Sequence, residues 1–404
     1  MKRRYIRLSS SALVRLLLVL LLLAVAFGFA LIQGGFLSWF VFYMLVPPTI
    51  YSLLLWLVPI GQFDVFRETE NRRLTQHDTL KMHVTLTRKS RFPLLYVIVE
   101  EVLPKGVFDT VEQRETRRLV AVGFRKNIQW TYEIEDVPRG EHQLVGIYVT
   151  ISDFFGWVQK TKFVEGKRTV IVFPTVQPLV YKKPIRYKTA GTTTAAMQSR
   201  MRDTNIVSGI RDYEAGDRMS WIHWKSFAKT GKLQTKEFEP YRDDSTWLVL
   251  DTISTPLFEA QISFAASVLV SAQKQNESIS YMTAGERPFT VDNVQTNEQL
   301  QQLMVHLANV KQQAFDPQRT YTYNESLCQA ALVYFVTSHV TIEWVEALSN
   351  TTATPKNCVL FVLVDPTVKH EATEAEIVAA NRGMRVLYVP ANHFAHAFEE
   401  GGVR

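Results

Sequence analysis

A chain of 404 residues is too long for one ordinary domain of about 150 residues, and 47% apolar with 12% aromatic residues excludes a disordered polypeptide. Two cysteines exclude a disulfide scaffold and a multi-cysteine zinc module. Of the net charge of +6, five units come from Lys2, Arg3, Arg4, Arg7 and Arg15, with no acid before Asp64. The bulk of the chain is therefore nearly neutral, and the overall charge does not indicate a nucleic-acid binder.

From Leu16 to Phe63 no residue is formally charged, whereas a membrane-crossing helix needs only about 20 apolar residues. The run divides at Gln33-Gly34-Gly35. This predicts one span over Leu13–Ile32 and a second over Phe36–Ile60, with Pro47-Pro48 as a kink or break in the second. Trp39, Tyr43, Tyr51 and Trp56 are rings of the interfacial type. A cleaved signal peptide would need a shorter apolar core and a small-residue cleavage site. Basic residues precede the first span, Arg67, Arg72 and Arg73 follow the second, and the intervening loop is uncharged. The expectation is a two-span membrane protein with both ends and its soluble domains in the cytoplasm.

Residues 62–180 change to a period of two. Leu80–Thr87 alternates, and Leu94–Val99, Asn127–Ile134, Leu144–Ile151 and Thr169–Phe173 are similar short runs. Turns at Pro104-Lys105-Gly106, Pro138-Arg139-Gly140, Asp153 to Gly156 and Glu165-Gly166 separate them. This pattern predicts a β-sandwich-like domain. His77, His83 and His142 lack ligand spacing and read as surface or structural histidines.

Residues 181–242 read as a Thr-rich linker, 182–200, followed by a dense segment. That segment holds Gly209, Arg211, Asp212, Tyr213, Gly216, Asp217, Arg218, Trp221, Trp224 and Lys225. The stretch 181–240 carries twelve Lys/Arg against six Asp/Glu. Gly209 and Gly216 permit sharp turns, Asp217 is placed to cap a helix starting near Met219 or Ser220, and Trp221 and Trp224, three apart, would share a helical face. Two readings stand: a capped, Trp-anchored helix stitched to Arg211 and Arg218 by ion pairs, or a docking or anion-binding patch. No nucleophile–base pair is present in it.

Residues 243–404 alternate strand and helix. Strands are predicted at Thr246–Asp251, Ser278–Met282, Ala330–Val336, Cys358–Val364 and Met384–Val389. Helices are predicted at Phe258–Gln275, Asn297–Gln312, Ile342–Leu348 and Ala372–Ala380. That order predicts a doubly wound α/β domain. It has no dinucleotide fingerprint and no phosphate loop. Cys328 and Cys358 read as buried small residues, and His393 and His396 lack a third ligand.

The segment Arg211-Asp212-Tyr213, Gly216-Asp217-Arg218, Ile222, Trp224, Lys225 resembles the signature of the DUF58 family, with Asp212 where the family has Glu and Lys229 near a position that is often Arg. Asp153-Phe154-Phe155-Gly156-Trp157 and Ile171-Val172-Phe173-Pro174 look like further landmarks of membrane-anchored bacterial members. The resemblance implies a von Willebrand A-like C-terminal region. In that fold a metal-ion-dependent adhesion site begins Asp-x-Ser-x-Ser. Here Asp251 and Thr255 fit the first and last positions, while Ile253 cannot ligate a cation, and Thr337-Ser338-His339 has no Asp. Magnesium needs hard oxygen ligands in octahedral array, so the site reads as degenerate, with magnesium as the cofactor it would take and no cofactor as the expectation. The resemblance further implies a non-enzymatic interaction or scaffold protein in a cell-envelope or assembly process. Its implied partners are a MoxR-type AAA+ ATPase and a transglutaminase-like membrane protein. The alternative is an enzyme or anion-binding protein acting on cell-envelope substrates through the basic segment.

Overall fold

The computed structural model describes residues 6–7, 10–61, 63–71, 73–103, 116–182, 207–214, 217–238, 245–285, 288–314, 327, 330–351, 357–368 and 370–399. Lys2, Arg3, Arg4, Arg72, the turn at Pro104-Lys105-Gly106, most of the 182–200 linker, Gly216 and Cys328 lie outside them. The chain divides into two compact units, 1–175 with 304–310, and 176–303 with 311–404.

The first unit begins with a short strand, β1 (Ile6–Arg7), and two helices, α1 (Ser10–Gln33) and α2 (Phe36–Leu57). Both helices are long and apolar enough to cross a membrane. They pack as a hairpin in which Phe27 meets Trp39 edge-on at 6.3 Å and Phe42 at 5.3 Å. Of the kink or break expected at Pro47-Pro48, the break does not occur: α2 runs through both prolines. Close by, the Thr49 hydroxyl donates to the Leu45 carbonyl at 2.8 Å.

Two sheets follow. Strands β2 (Phe63–Thr69), β4 (Leu80–Arg88) and β7 (Asn127–Ile134) form one in the order β2-β4-β7. The other has the order β1-β9-β8-β5-β6, from β5 (Leu94–Glu101), β6 (Arg117–Gly123), β8 (Gly140–Ser152) and β9 (Gln159–Phe173), with β3 (Leu74–Thr75) on β9. Alternate residues of β4 face inward, among them Leu80, Met82, Val84 and Leu86, as the period of two requires. They pack against Val97, Val99, Ile147 and Val172 of the opposite sheet. Gly146 bulges β8 beside the ring of Phe163, where a Cβ would lie 2.5 Å from the ring. His142 is buried and bonds the Pro138 carbonyl at 2.7 Å, a structural role; its burial lowers its basicity.

Sequence reasoning overlooked β2 and β6. It also overlooked the ion pair inside the sandwich, between Arg67 of β2 and Glu101 of β5 at 2.6 Å, both side chains 2% exposed. Arg67 also donates to the Gly166 carbonyl. Burial raises the Glu101 carboxyl to about 7, against the opposing pull of the Arg67 guanidinium.

In the second unit, residues 177–181 run along α4 (Phe258–Lys274): Ser267 and Ser271 accept the amides of Gln177 and Tyr181 at 2.9 and 3.0 Å. The sheet has the order β14-β13-β12-β15-β16-β17, from β12 (Thr246–Leu250), β13 (Ile279–Thr283), β14 (Phe289–Val294), β15 (Leu332–Thr337), β16 (Cys358–Val364) and β17 (Arg385–Pro390). All neighbours are parallel except β14, which pairs antiparallel with β13. The helices α5 (Asn297–Asn309), α6 (Ile342–Thr351) and α7 (Glu374–Asn381) complete the alternation. Every residue of β12 and β13 is buried, the pattern of strands covered on both faces. Trp344, Val345 and Leu348 of α6 and Ala375 and Ala379 of α7 join one core with Trp247, Phe335 and Leu360. Phe264 of α4 packs on Phe361 at 5.1 Å. Cys358 is buried, as a small core residue.

A carboxyl whose pKa is higher folded than unfolded binds its proton more tightly in the native state, so stability falls as pH rises between the two values. The detergent-solubilised chain therefore loses thermal stability between about pH 4.5 and 7 through Glu101. Glu101→Gln removes the part of that slope above about pH 6, beyond the range in which the raised carboxyl of Asp251 contributes, by comparison of Tm across the interval.

Candidate functional site

The signature segment folds as a two-stranded ribbon, β10 (Val207–Asp212) with β11 (Gln234–Phe238), antiparallel and bulged at Val207/Gly209. Between the strands lie a 3-10 turn over Met219–Trp221 and a short helix, α3 (Trp224–Thr230).

Asp217 does not cap the helix, contrary to the sequence expectation. Its carboxylate ties the loop to both strands. One oxygen receives Arg211 of β10 at 2.7 Å, and the other receives the Glu214 amide and the Thr235 hydroxyl of β11, both at 3.2 Å. The Glu214 amide, with Arg211 and Thr235, holds the Asp217 carboxyl below its usual range. Arg211 also faces Glu214 at 3.7 Å. The cap of α3 is His223, whose Nδ1 accepts the Ser226 amide at 3.1 Å. That bond requires a ring nitrogen with a free lone pair. Gly231 closes α3 in the left-handed conformation, φ 69°.

Trp221 and Trp224 do not share a helical face either. Trp221 ends the 3-10 turn, the chain extends through Ile222, and Trp224 opens α3. Ile222 is buried and bridges Thr235, which anchors the turn to β11. The Arg218 guanidinium lies over the Trp221 ring at 5.3 Å. Asp212 accepts from Gln234 at 3.3 Å, and the Tyr213 amide bonds the Leu233 carbonyl at 3.1 Å, so both close the ribbon.

The outcome is a braced scaffold with an apolar and cationic surface. Trp224 is 57% exposed and meets Phe227 edge-on at 6.2 Å; Met219, Ile210 and Leu233 are exposed as well. Lys225, Lys229 and Lys232 are exposed among them. Sequence reasoning had singled out Trp224 and Lys225 but missed Met219, Phe227 and Leu233, whose exposure depends on which way the ribbon turns them.

A second cluster lies at the C-terminal ends of β12 and β15, where the strand order reverses. Asp251 is buried. One carboxylate oxygen receives the Ile253 amide at 3.2 Å, and the other the Thr337 hydroxyl at 2.9 Å. Burial raises its carboxyl to about 6, against those hydrogen bonds. Thr255 accepts from Ser338 at 2.7 Å. The structure thus brings Asp251 and Thr255 into one network with Thr337 and Ser338. That donor set, one engaged carboxylate with hydroxyls and an isoleucine in the middle position, does not fit octahedral magnesium. Among the described residues no group of three or more His, Cys, Asp or Glu is placed to hold a metal.

Residues 209–369 match the family described as "Protein of unknown function DUF58". The "Uncharacterized protein YeaD" of Bacillus subtilis (strain 168) is 32% identical over 312 residues, 77% of this chain and 78% of that protein. Among solved structures, the CARDB domain of a Pyrococcus furiosus protein in complex with di-metal ions is 12% identical, over 26% of this chain and 92% of its own, with a TM-score of 0.18. BslA, a bacterial hydrophobin, is 11% identical over 28% of this chain and 99% of its own, also at 0.18. Likenesses at that score carry no argument about fold or function.

Removing the Asp217 carboxylate frees three donors at once. Asp217→Ala speeds hydrogen exchange at the Glu214 amide, which the carboxylate accepts, several-fold over wild type. Asp217→Asn, which keeps an acceptor but loses the charge, falls between the two. Because the Asp217 pKa is depressed in the folded state, wild-type protection holds at neutral pH and is lost as pH falls through that depressed value.

Proposed function

The chain belongs to the DUF58 family of proteins of unknown function, and we propose that it is a membrane-anchored, non-enzymatic interaction protein whose signature ribbon docks a MoxR-type AAA+ ATPase. The observation that carries this reading is the exposed Trp224–Phe227 pair, on a segment where Met219 and Leu233 and the cations Arg218, Lys225, Lys229 and Lys232 are exposed as well. Contiguous exposed apolar groups on a soluble surface mark interaction sites. Trp, Phe, Met and Arg are the residue types enriched there, and the surrounding cations select an acidic face on the partner. Asp217, the carboxylate at the centre of the ribbon, already serves three donors. That favours a structural brace over a general acid or base, and so favours docking over the alternative of an enzyme or anion-binding protein acting on cell-envelope substrates.

The anchor is the α1–α2 hairpin. The basic flanks and uncharged connecting loop orient it with the soluble units in the cytoplasm. The strand order of the second unit and its lone antiparallel edge strand support a von Willebrand A-like reading. In that reading the Asp251–Thr337 network takes the place of the adhesion-type metal site. A transglutaminase-like membrane protein is the second partner that the family reading supplies.

Two measurements test this. The full chain in detergent retains a MoxR-type ATPase on affinity purification, and Trp224→Ala with Lys225→Glu and Lys229→Glu lowers recovery at least tenfold. Unchanged recovery in that triple variant removes the ribbon from the interface. A fluorescent-protein fusion after Arg404 folds and fluoresces, and an alkaline phosphatase fusion at the same position is inactive. The opposite pair of results places the C-terminus outside and removes every cytoplasmic partner.

A further inference from the structure

The turn between β8 and β9, Asp153-Phe154-Phe155-Gly156-Trp157, carries three rings on five residues and takes no part in the signature site. Phe154 is 71% exposed and Phe155 52%, although both are large and apolar. The rings are ordered among themselves: Phe155 stacks on Trp157 at 4.4 Å, and Phe154 meets Phe155 edge-on at 5.0 Å. Gly156, at φ 74°, makes the tight turn that lifts them.

What stands beside this turn identifies its occupant. Asp153 is buried and accepts the Ser52 hydroxyl of α2 at 2.6 Å on one oxygen and the Val158 amide at 3.1 Å on the other. Tyr96 donates to the Asp153 carbonyl at 3.0 Å, and Arg15 of α1 approaches the Gly156 carbonyl at 3.5 Å. The turn is therefore level with Arg15 on one helix and Ser52 on the other. Ser52 lies sixteen residues beyond Phe36, the start of α2, and Arg15 eighteen before Gln33, the end of α1. At about 1.5 Å per residue these positions are roughly 24 and 27 Å from the hairpin tip, against a hydrocarbon core about 30 Å thick. Arg15 is also the last charge before the uncharged run. The turn thus arrives where a bilayer spanned by the hairpin would have its headgroups, the depth that aromatic rings favour. Leu95, exposed and bonded through its amide to the Tyr51 hydroxyl at 3.3 Å, lies at the same level.

The geometry points to the Asp153–Trp157 turn as a lipid-binding element that inserts Phe154 and Phe155 into the interface of the bilayer on the sandwich side. This inference builds on the membrane-spanning reading of α1 and α2. The ligand is the lipid surface itself. The one charged group of the turn, Asp153, is consumed by Ser52 and Val158, so insertion depends on apolar and aromatic contact and requires no anionic headgroup. The element acts as a third foot beside two helices and fixes the tilt of the sandwich on the membrane.

The test uses the full chain with Cys328→Ala and Cys358→Ala, reconstituted in phosphatidylcholine vesicles. A nitroxide is attached at Phe155→Cys, at Val25→Cys within α1, or at Glu141→Cys on β8. Collision with oxygen, which partitions into lipid, is compared with collision with a water-soluble nickel chelate. The expected result is a nickel collision rate at position 155 several-fold below that at 141, with an oxygen preference between those of 141 and 25. A lipid-like value at 25 with a value at 155 equal to that at 141 overturns the interfacial foot alone. A water-like value at 25 overturns the spanning reading and the foot with it.

Discussion

The last carbonyls of a helix have no donor within the helix, and at the end of α2 the ammonium of Lys160 supplies one, bonding Trp56 and Val58 at 2.8 Å each. Lys160 is buried, and burial lowers its pKa. Two carbonyls at the negative end of a helix are the partners that make a buried cation tolerable. The bond fixes the start of β9 to the end of the hairpin, and the rest of the first unit follows from it. Ser52 reaches Asp153, Tyr51 reaches the Pro93 carbonyl, and Leu16 and Leu55 enter the hydrophobic cluster of the sandwich. Sandwich and hairpin therefore share one core, and no flexible stalk separates them.

The second unit is organised around carboxylates in a similar way. Asp217 takes three donors of the ribbon and its loop, and Asp251 takes the Ile253 amide and the Thr337 hydroxyl. What the signature leaves at the surface is exposed rings and ammonium groups on a hydrogen-bonded support.

The sequence made some elements legible and left others hidden for physical reasons. β4 and β7 alternate because one face of each is buried; β12 and β16 are unbroken apolar runs because both faces are covered. β6 carries mostly exposed side chains, so no period marks it, and β14 alternates only over Phe289–Asp292 before Asn293, at φ 52°, interrupts the period. β2 hides for another reason: Arg67 faces inward, and a buried arginine reads as a surface residue until Glu101 is placed against it. In the signature, the cap assigned to Asp217 passed to His223 because the ribbon drew Asp217 toward Arg211 and Thr235.

The sequence by itself determined where charge is absent, where apolar residues recur with a period, and where rings, glycines and cations crowd together. Those properties belong to neighbours along the chain, and they were enough to locate the hairpin, the sandwich, the signature and the α/β sheet. Tertiary structure alone decided which groups meet across the chain: Ser52 with Asp153, Arg67 with Glu101, Thr337 with Asp251. Those meetings depend on strand register and on the crossing of distant segments, and it is these that bring a run of aromatic residues beside α1 and α2 and leave the apolar and basic side chains of the signature exposed.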